Sequence, residues 1–275
     1  MEAHFAHTYV ILFGKLAVGG LLSLAVPPFL EMERGFYKST GAVFVAMAYL
    51  MAAGEAYLYL RYGDRANVTL VSVTGWLIFA ALFSAYLFTL FVERPLLRAR
   101  LFPAAVAAGF LALVVTGLGY VPAGITRVAG IPFAASLAVG AATTGAAVTG
   151  MLLGHWYLID TGLDLRPLKR MLVFCRACVR LEIIVVVAAA LTMWVWPGRP
   201  WAEGFELVFG ERFFLLFVAR VSAWMLALFL LFLIHRTLAI PQTMAATGLF
   251  YVQALVVAVG EICGHWLLFR TGIPL

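Results

Sequence analysis

The sequence predicts an all-α fold: a polytopic membrane helix bundle of about eight transmembrane helices, with both termini on the outer side. Three observations carry this expectation. The chain is 64% hydrophobic with mean hydropathy +1.02, and only 12% of its 275 residues are charged, about half the charge of a soluble domain. Its apolar residues gather into segments of about 20 residues or more, the length a helix needs to cross the hydrocarbon core. The connections between them are too short for a soluble domain, so 1–275 reads as one integral membrane domain.

Taken in order, the spans are 8–30, 39–62, 68–92, 98–118, 131–159, 171–196, 212–238 and 241–269. Spans this uniformly apolar are helices, because lipid offers an open backbone no hydrogen-bond partner. Pro27 and Pro28 close the first. Pro103 lies a few residues inside the fourth, while Pro132 and Pro241 open the fifth and eighth, where a first-turn proline is tolerated. The longest connection, about 197–211, is WPGRPWAEGFELVFG.

Loop charge orients the bundle. The loops after spans 1, 3, 5 and 7 hold nine basic residues: Arg34, Lys38, Arg94, Arg98, Arg100, Arg166, Lys169, Arg170 and Arg236. The opposite side holds six: Arg61, Arg65, Arg127, Arg199, Arg212 and Arg270. This bias puts both termini outside, with Trp194, Trp196, Trp201 and Trp266 at the outer interface and Trp156 at the inner one.

Several function classes drop away. The net charge of +6 comes from residues at span ends, so it anchors helices and gives no nucleic-acid signal. MEAHFAH has no basic n-region, so a cleaved signal peptide is not expected. Cys175, Cys178 and Cys263 lie within spans and make no disulfide framework. The C-x-x-C of FCRACVR reads as small core residues on a membrane helix; zinc at Cys175, Cys178, His155 and His235 is the weaker alternative. No Walker loop, nucleophile elbow or HExxH is present.

What remains is the ionisable residues inside the spans, which are costly in lipid and mark pathways or sites. They sort into two clusters. Toward the outer face lie Lys15, Glu55, Arg220, Glu261 and His265, with His4 and His7 just before span 1. Toward the inner face lie His155, His235, Arg176, Arg180 and Glu182. In AVGEICGHW, Glu261 and His265 sit four apart on one helical face, and Gly260 and Gly264 allow a neighbour to approach closely. A carboxylate beside an imidazole suits proton exchange with a quinol. Glu261 is expected as proton acceptor, His265 as its hydrogen-bond partner or a haem ligand, and Arg220 as electrostatic tuner paired with Glu261 or Glu55. A structural ion pair with His265 wetted at the interface is the competing reading. Lys15, two turns into span 1, has a stem long enough to snorkel outward.

In the inner cluster, His155 and His235 are candidate axial ligands of one b-type haem. Gly140, Gly145, Gly150 and Gly154 would clear room for the porphyrin, and Arg176 and Arg180 would hold its propionates. Such a glycine stripe is more often plain helix packing. GMLLGHWYLIDTG (150–162) and GEICGHWLLFRTG (260–272) match at GHW, the flanking glycines and the closing TG, a hint of inverted three-helix repeats like those of transporters.

At the level of fold, an eight-helix chain with short loops and buried acid and histidine residues resembles the quinone-reactive anchors of respiratory oxidoreductases. The expected function is thus an electron-transfer membrane subunit with a quinone site (menaquinone or ubiquinone) near the outer face and a b haem as a further cofactor. Its partners would be the bilayer and iron–sulfur or cytochrome subunits, with no nucleic acid, in a bacterial cytoplasmic (inner) membrane. A secondary transporter or channel, and a structural anchor without its own site, stay open.

Overall fold

A computed structural model describes residues 2–63, 68–119, 130–160, 162–195, 199–210, 213–240 and 242–275, with backbone alone for 2–5 and 199–201. The only regular structure among these residues is helix, with no strand among them. The helices are α1 (Glu2–Ser23), α2 (Arg34–Tyr62), α3 (Leu70–Phe91), α4 (Pro95–Gly119), α5 (Ile131–Ile159), α6 (Arg166–Val195), α7 (Arg199–Phe209), α8 (Phe214–Ala239) and α9 (Thr243–Thr271). Seven of them, α1–α5, α8 and α9, are long and apolar enough to cross a bilayer. The chain is therefore an integral membrane protein with a helical bundle.

Three boundaries differ from the sequence expectation, each for a local reason. α1 stops at Ser23 rather than Leu30, and successive turns carry the chain from Gly20 to Val26 ahead of Pro27 and Pro28. α6 is as long as a span at 30 residues, but Arg166, Lys169, Arg170, Arg176, Arg180 and Glu182 dilute its apolar character. The expected 197–211 connection contains the short helix α7. Its Phe205 and Val208 are buried while Glu203 and Glu206 are exposed, the spacing of an amphipathic helix. A Cβ on Gly204 would come 2.3 Å from the Thr271 carbonyl, so α7 lies tight against the last turn of α9.

The long helices form two four-helix groups. α1, α2, α3 and α4 pack in a ring, and so do α5, α6, α8 and α9. The groups meet chiefly where α1 crosses α5, with further contact of α1 on α9 and of α4 on α5. At that crossing a Cβ on Gly19 would sit 1.6 Å from the Ala141 carbonyl oxygen, and one on Gly145 would sit 1.9 Å from the Gly19 carbonyl carbon. Only glycine permits this backbone-on-backbone approach. Packing of this kind replaces the hydrophobic effect, which is weak between helices already in lipid.

The rest of the α5 glycine stripe is filled too. Cβ atoms on Gly150 and Gly154 would collide with Phe250 and Thr247 of α9. These contacts run 154 to 247, 150 to 250 and 140 to 261, so α5 and α9 are antiparallel and their GHW motifs lie at opposite ends of the bundle. The space expected for a porphyrin is taken by neighbouring helices.

Candidate functional site

The densest polar chemistry lies toward the end where α1 begins and α9 ends, here called the near end. In the α5–α9 group, Arg220 of α8 donates from Nη1 and Nη2 to Glu261 Oε1, both at 3.1 Å. Its Nη2 also donates to Glu182 Oε1. Lys15 of α1 donates from Nζ to Glu261 Oε2. Trp224, one turn after Arg220, donates from Nε1 to Glu182 Oε1 at 3.1 Å, and the guanidinium lies 4.5 Å from the indole ring. None of these five groups is more than 9% exposed, and the four ions no more than 4%.

Two cations and two carboxylates make the cluster neutral. That balance matters, because an ion buried without compensation costs several kcal/mol. Glycines make the space: a Cβ on Gly140 would sit 2.4 Å from Lys15 Nζ and 2.9 Å from Glu261 Oε2, and one on Gly264 would sit 3.0 Å from Arg220 Nε. The Gly260–Gly264 pair thus admits the Arg220 side chain. His265 is buried beside the cluster, its Nδ1–H donating to the Thr8 carbonyl at 3.2 Å. Its Nε2 stands 3.6 Å from Glu261 Oε2, beyond hydrogen-bond range.

A second polar chain runs through the α1–α4 group, its His7 about two turns nearer the near end than Lys15. His7 Nε2 meets Glu55 Oε1 at 2.9 Å, and Ser72 Oγ donates to Glu55 Oε2 at 2.9 Å. Ser72 Oγ lies 3.3 Å from Thr116 Oγ1, which accepts from Trp76 Nε1 at 3.0 Å. Phe269 connects the two halves: the His7 ring stacks on it at 5.5 Å, and His265 flanks it at 6.3 Å. Together these residues form one transverse seam from α3 and α4, across α1, to α6 and α8.

An apolar groove of about 410 Å³ runs between α3 and α4, with Gly75 and Ala112 among its lining residues. Ser72 and Thr116 lie one turn from these residues, on the buried sides of the same two helices.

This geometry changes two sequence expectations and decides between the alternatives at two further residues. Glu182 belongs with Arg220 in the seam and not with an inner cluster, because α6 packs on α8 at that level. Lys15 does not snorkel; it is 3% exposed and paired with Glu261. His265 is buried rather than wetted. Of the two partners offered to Arg220, Glu261 is the one taken, and Glu55 turns to His7 and Ser72.

The expected haem set is placed apart. His155 and His235 are both exposed. His155 Nδ1 lies 3.1 Å from the Tyr251 hydroxyl of α9, and α6 and α9 stand between α5 and α8. Arg176 is half-buried with Nη2 donating to the Leu231 carbonyl at 3.3 Å, and Arg180 is exposed. Cys175 and Cys178 are buried, Cys175 donating to the Ala146 carbonyl. Among the described residues no three His, Cys, Asp or Glu side chains gather as a metal set. The side chains of His4, Trp196 and Trp201 lie outside the described residues.

Sequence reasoning missed Ser72, Thr116, Trp76 and Trp224, uncharged residues whose part depends on which helices meet. Comparison with protein-family models, curated proteins and solved structures finds no match to this chain.

Proposed function

We propose that this chain is a membrane-integral, quinone-reactive electron-transfer subunit of a respiratory oxidoreductase complex. The observation that carries the reading is the seam: carboxylates, imidazoles and cations buried toward one end of the bundle, running up to helices that bear an apolar groove. Quinone reduction takes up two protons and two electrons, so its site needs an apolar slot joined to protonatable groups. The groove lies within the usual size range of small-molecule sites, ~300–1,000 Å³. Ser72 and Thr116, the far end of the chain from Glu55 and His7, lie one turn from its lining residues, with Glu261, Arg220 and His265 behind them. The quinone is menaquinone or ubiquinone, and electrons pass to or from an iron–sulfur or cytochrome partner. A haem between His155 and His235 is left out, because each ring opens on the bundle exterior.

In this reading α6 is the eighth span. Two of its mid-helix charges are met inside the protein, Arg176 by the Leu231 carbonyl and Glu182 by Arg220, while Arg180 is exposed. An even number of spans puts both termini on one side, and loop charge makes that side the outside of a bacterial inner membrane. A transporter is the second reading, favoured by the GHW motifs at opposite ends of antiparallel α5 and α9.

The test is quinone binding by the purified chain. Organic extraction should yield a stoichiometric quinone, and a soluble quinone analogue should compete for the site. Gly75→Leu fills the groove without a backbone clash, since its Cβ would meet only the Ala112 methyl at 3.7 Å and the neighbouring Ala112 Cα at 3.9 Å. It should weaken binding about tenfold, equivalent to about 1.4 kcal/mol. No retained quinone and no analogue binding at full purity would end the proposal.

A further inference from the structure

Two small cavities flank Arg220. One, of about 10 Å³, is lined in part by Glu182, Arg220, Trp224 and Glu261. The other, also about 10 Å³, is lined in part by Lys15, Ser136, Arg220, Gly264 and His265. Each has room for about one water molecule. The lining residues carry three buried polar atoms with no hydrogen-bond partner among the described residues: Glu182 Oε2, Arg220 Nε and His265 Nε2. Buried polar atoms in folded proteins are met by protein or by ordered water.

The hydrogen bonds distinguish among the candidate proton acceptors. Glu261 has both oxygens engaged by cations, Oε1 by Arg220 and Oε2 by Lys15. Glu182 uses Oε1 for Arg220 and Trp224 and leaves Oε2 open. At His265 the partner of Nδ1 is a carbonyl, which only accepts, so Nδ1 holds the hydrogen. Nε2 of the neutral ring is then a bare lone pair.

We propose that each cavity holds one water, and that protons enter the seam through these waters at Glu182 Oε2 and His265 Nε2. Glu261 is then a fixed counter-ion to Lys15 and Arg220. In the second cavity the water accepts from Arg220 Nε–H and donates to His265 Nε2. A proton delivered to that water is passed on as the Nε2–H bond forms and an O–H bond breaks, leaving imidazolium and the same water. In the first cavity the corresponding transfer leaves Glu182 as the carboxylic acid. Arg220 cannot give up its proton, so it separates the two branches. His265 faces Lys15 of α1, Arg220 of α8, Glu261 of its own helix and the Thr8 carbonyl. Glu182 faces Arg220 and Trp224 of α8, Glu261 of α9, Lys15 of α1 and Cys178 of its own helix. The inference deepens the proton-handling part of the proposed function. Its test uses no quinone, so either can fail while the other stands.

The experiment is a pH titration of the full chain in proteoliposomes, with ¹⁵N-histidine and side-chain ¹³C-glutamate labels read by solid-state NMR. Infrared spectra follow the carboxylic-acid C=O band. At high pH one imidazole should be protonated on Nδ1 alone, with Nε2 in contact with exchangeable water, and acidification should protonate that Nε2. His265→Asn should remove this signal. Beside the bands of the solvated carboxyls, one high-frequency band of a buried carboxylic acid should appear on acidification, vanish in Glu182→Gln and persist in Glu261→Gln. An Nε2–H tautomer, a dry Nε2, or a carboxylic-acid band that follows Glu261 would overturn the proposal. The wild-type histidine spectra decide between the tautomers even if a glutamate variant fails to fold.

Discussion

Arg220→Leu tests whether the seam is held by charge balance. With Arg220 the described ions are Lys15 and Arg220 against Glu182 and Glu261, two positive and two negative. Without it they become one against two. The change also removes three donor contacts to carboxylates and the stacking on Trp224. Glu182 keeps only the Trp224 indole N–H. Removing one partner of a buried ion pair costs about 3–5 kcal/mol, because the other charge stays buried. At about 2–4 °C per kcal/mol for a chain near this size, a loss of about 4 kcal/mol lowers Tm by roughly 8–16 °C. Adding Glu182→Gln restores neutrality, Lys15 against Glu261, and should recover about half of the loss. Intrinsic-fluorescence melting in one detergent reads all three proteins. A single variant within 2 °C of the parent by that assay, or a double variant that melts below the single, would refute the charge-balance argument.

Other positions give independent checks. Gly19→Leu should prevent α1 from seating on α5, because even a Cβ would lie 1.6 Å from the Ala141 carbonyl oxygen; a stable monodisperse variant by gel filtration would contradict the crossing. Gly140→Val should displace the Lys15–Glu261 pair and destabilise the chain by about 2 kcal/mol or more, seen as a lower Tm that Gly140→Ala shares only in part. Gln253 is fully buried with neither amide atom bonded among the described residues. Gln253→Met should therefore leave stability unchanged or raise it by up to about 1–3 kcal/mol, read as an equal or higher Tm, and a clear drop in Tm would reveal an unseen partner. Asp164, in the loop before α6, is held below the usual carboxylate range by hydrogen bonds from the Arg166 side chain and backbone. Its stabilising effect is present above the ordinary carboxylate pKa and is lost as pH falls through the lowered value. Asp164→Asn should accordingly flatten the acid limb of a Tm–pH profile, and an unchanged limb would remove that contact from the account.

Hydropathy made the bundle legible because each span must satisfy its own backbone. Most span limits fell within a few residues of the helices, and the start of α5 at Ile131, just before Pro132, followed from proline chemistry, whereas α1 ended at Ser23, short of the expected limit. α7 was hidden because its two buried apolar residues, Phe205 and Val208, make too short a pattern within a charged, proline-bearing stretch. Of the site, Glu261, Arg220, Glu55 and His265 stood out as ionisable groups where lipid would not tolerate them. Their partners did not, since pairing depends on which faces meet. GHW occurs twice, yet His155 is exposed and His265 buried, a difference made by α1 lying over one copy. Glu182 was read by its position along α6, whereas the α6–α8 contact decides its company.

The glycine contact between α1 and α5 has an electrical meaning. Gly19 lies one turn beyond Lys15, so the backbones touch just past the seam and leave no space for water on that line. The contact acts as insulation between the seam and the far half of the bundle. His265 lies six residues (265 to 271) from the end of the 29-residue α9, about 9 Å or a fifth of its length. A proton entering at His265 from the near end would therefore cross about a fifth of any transmembrane voltage, ~0.5 kcal/mol per 100 mV against ~2.3 for a full crossing. Proton exchange at this depth would depend only weakly on voltage, and the far half of the bundle would bear most of the field.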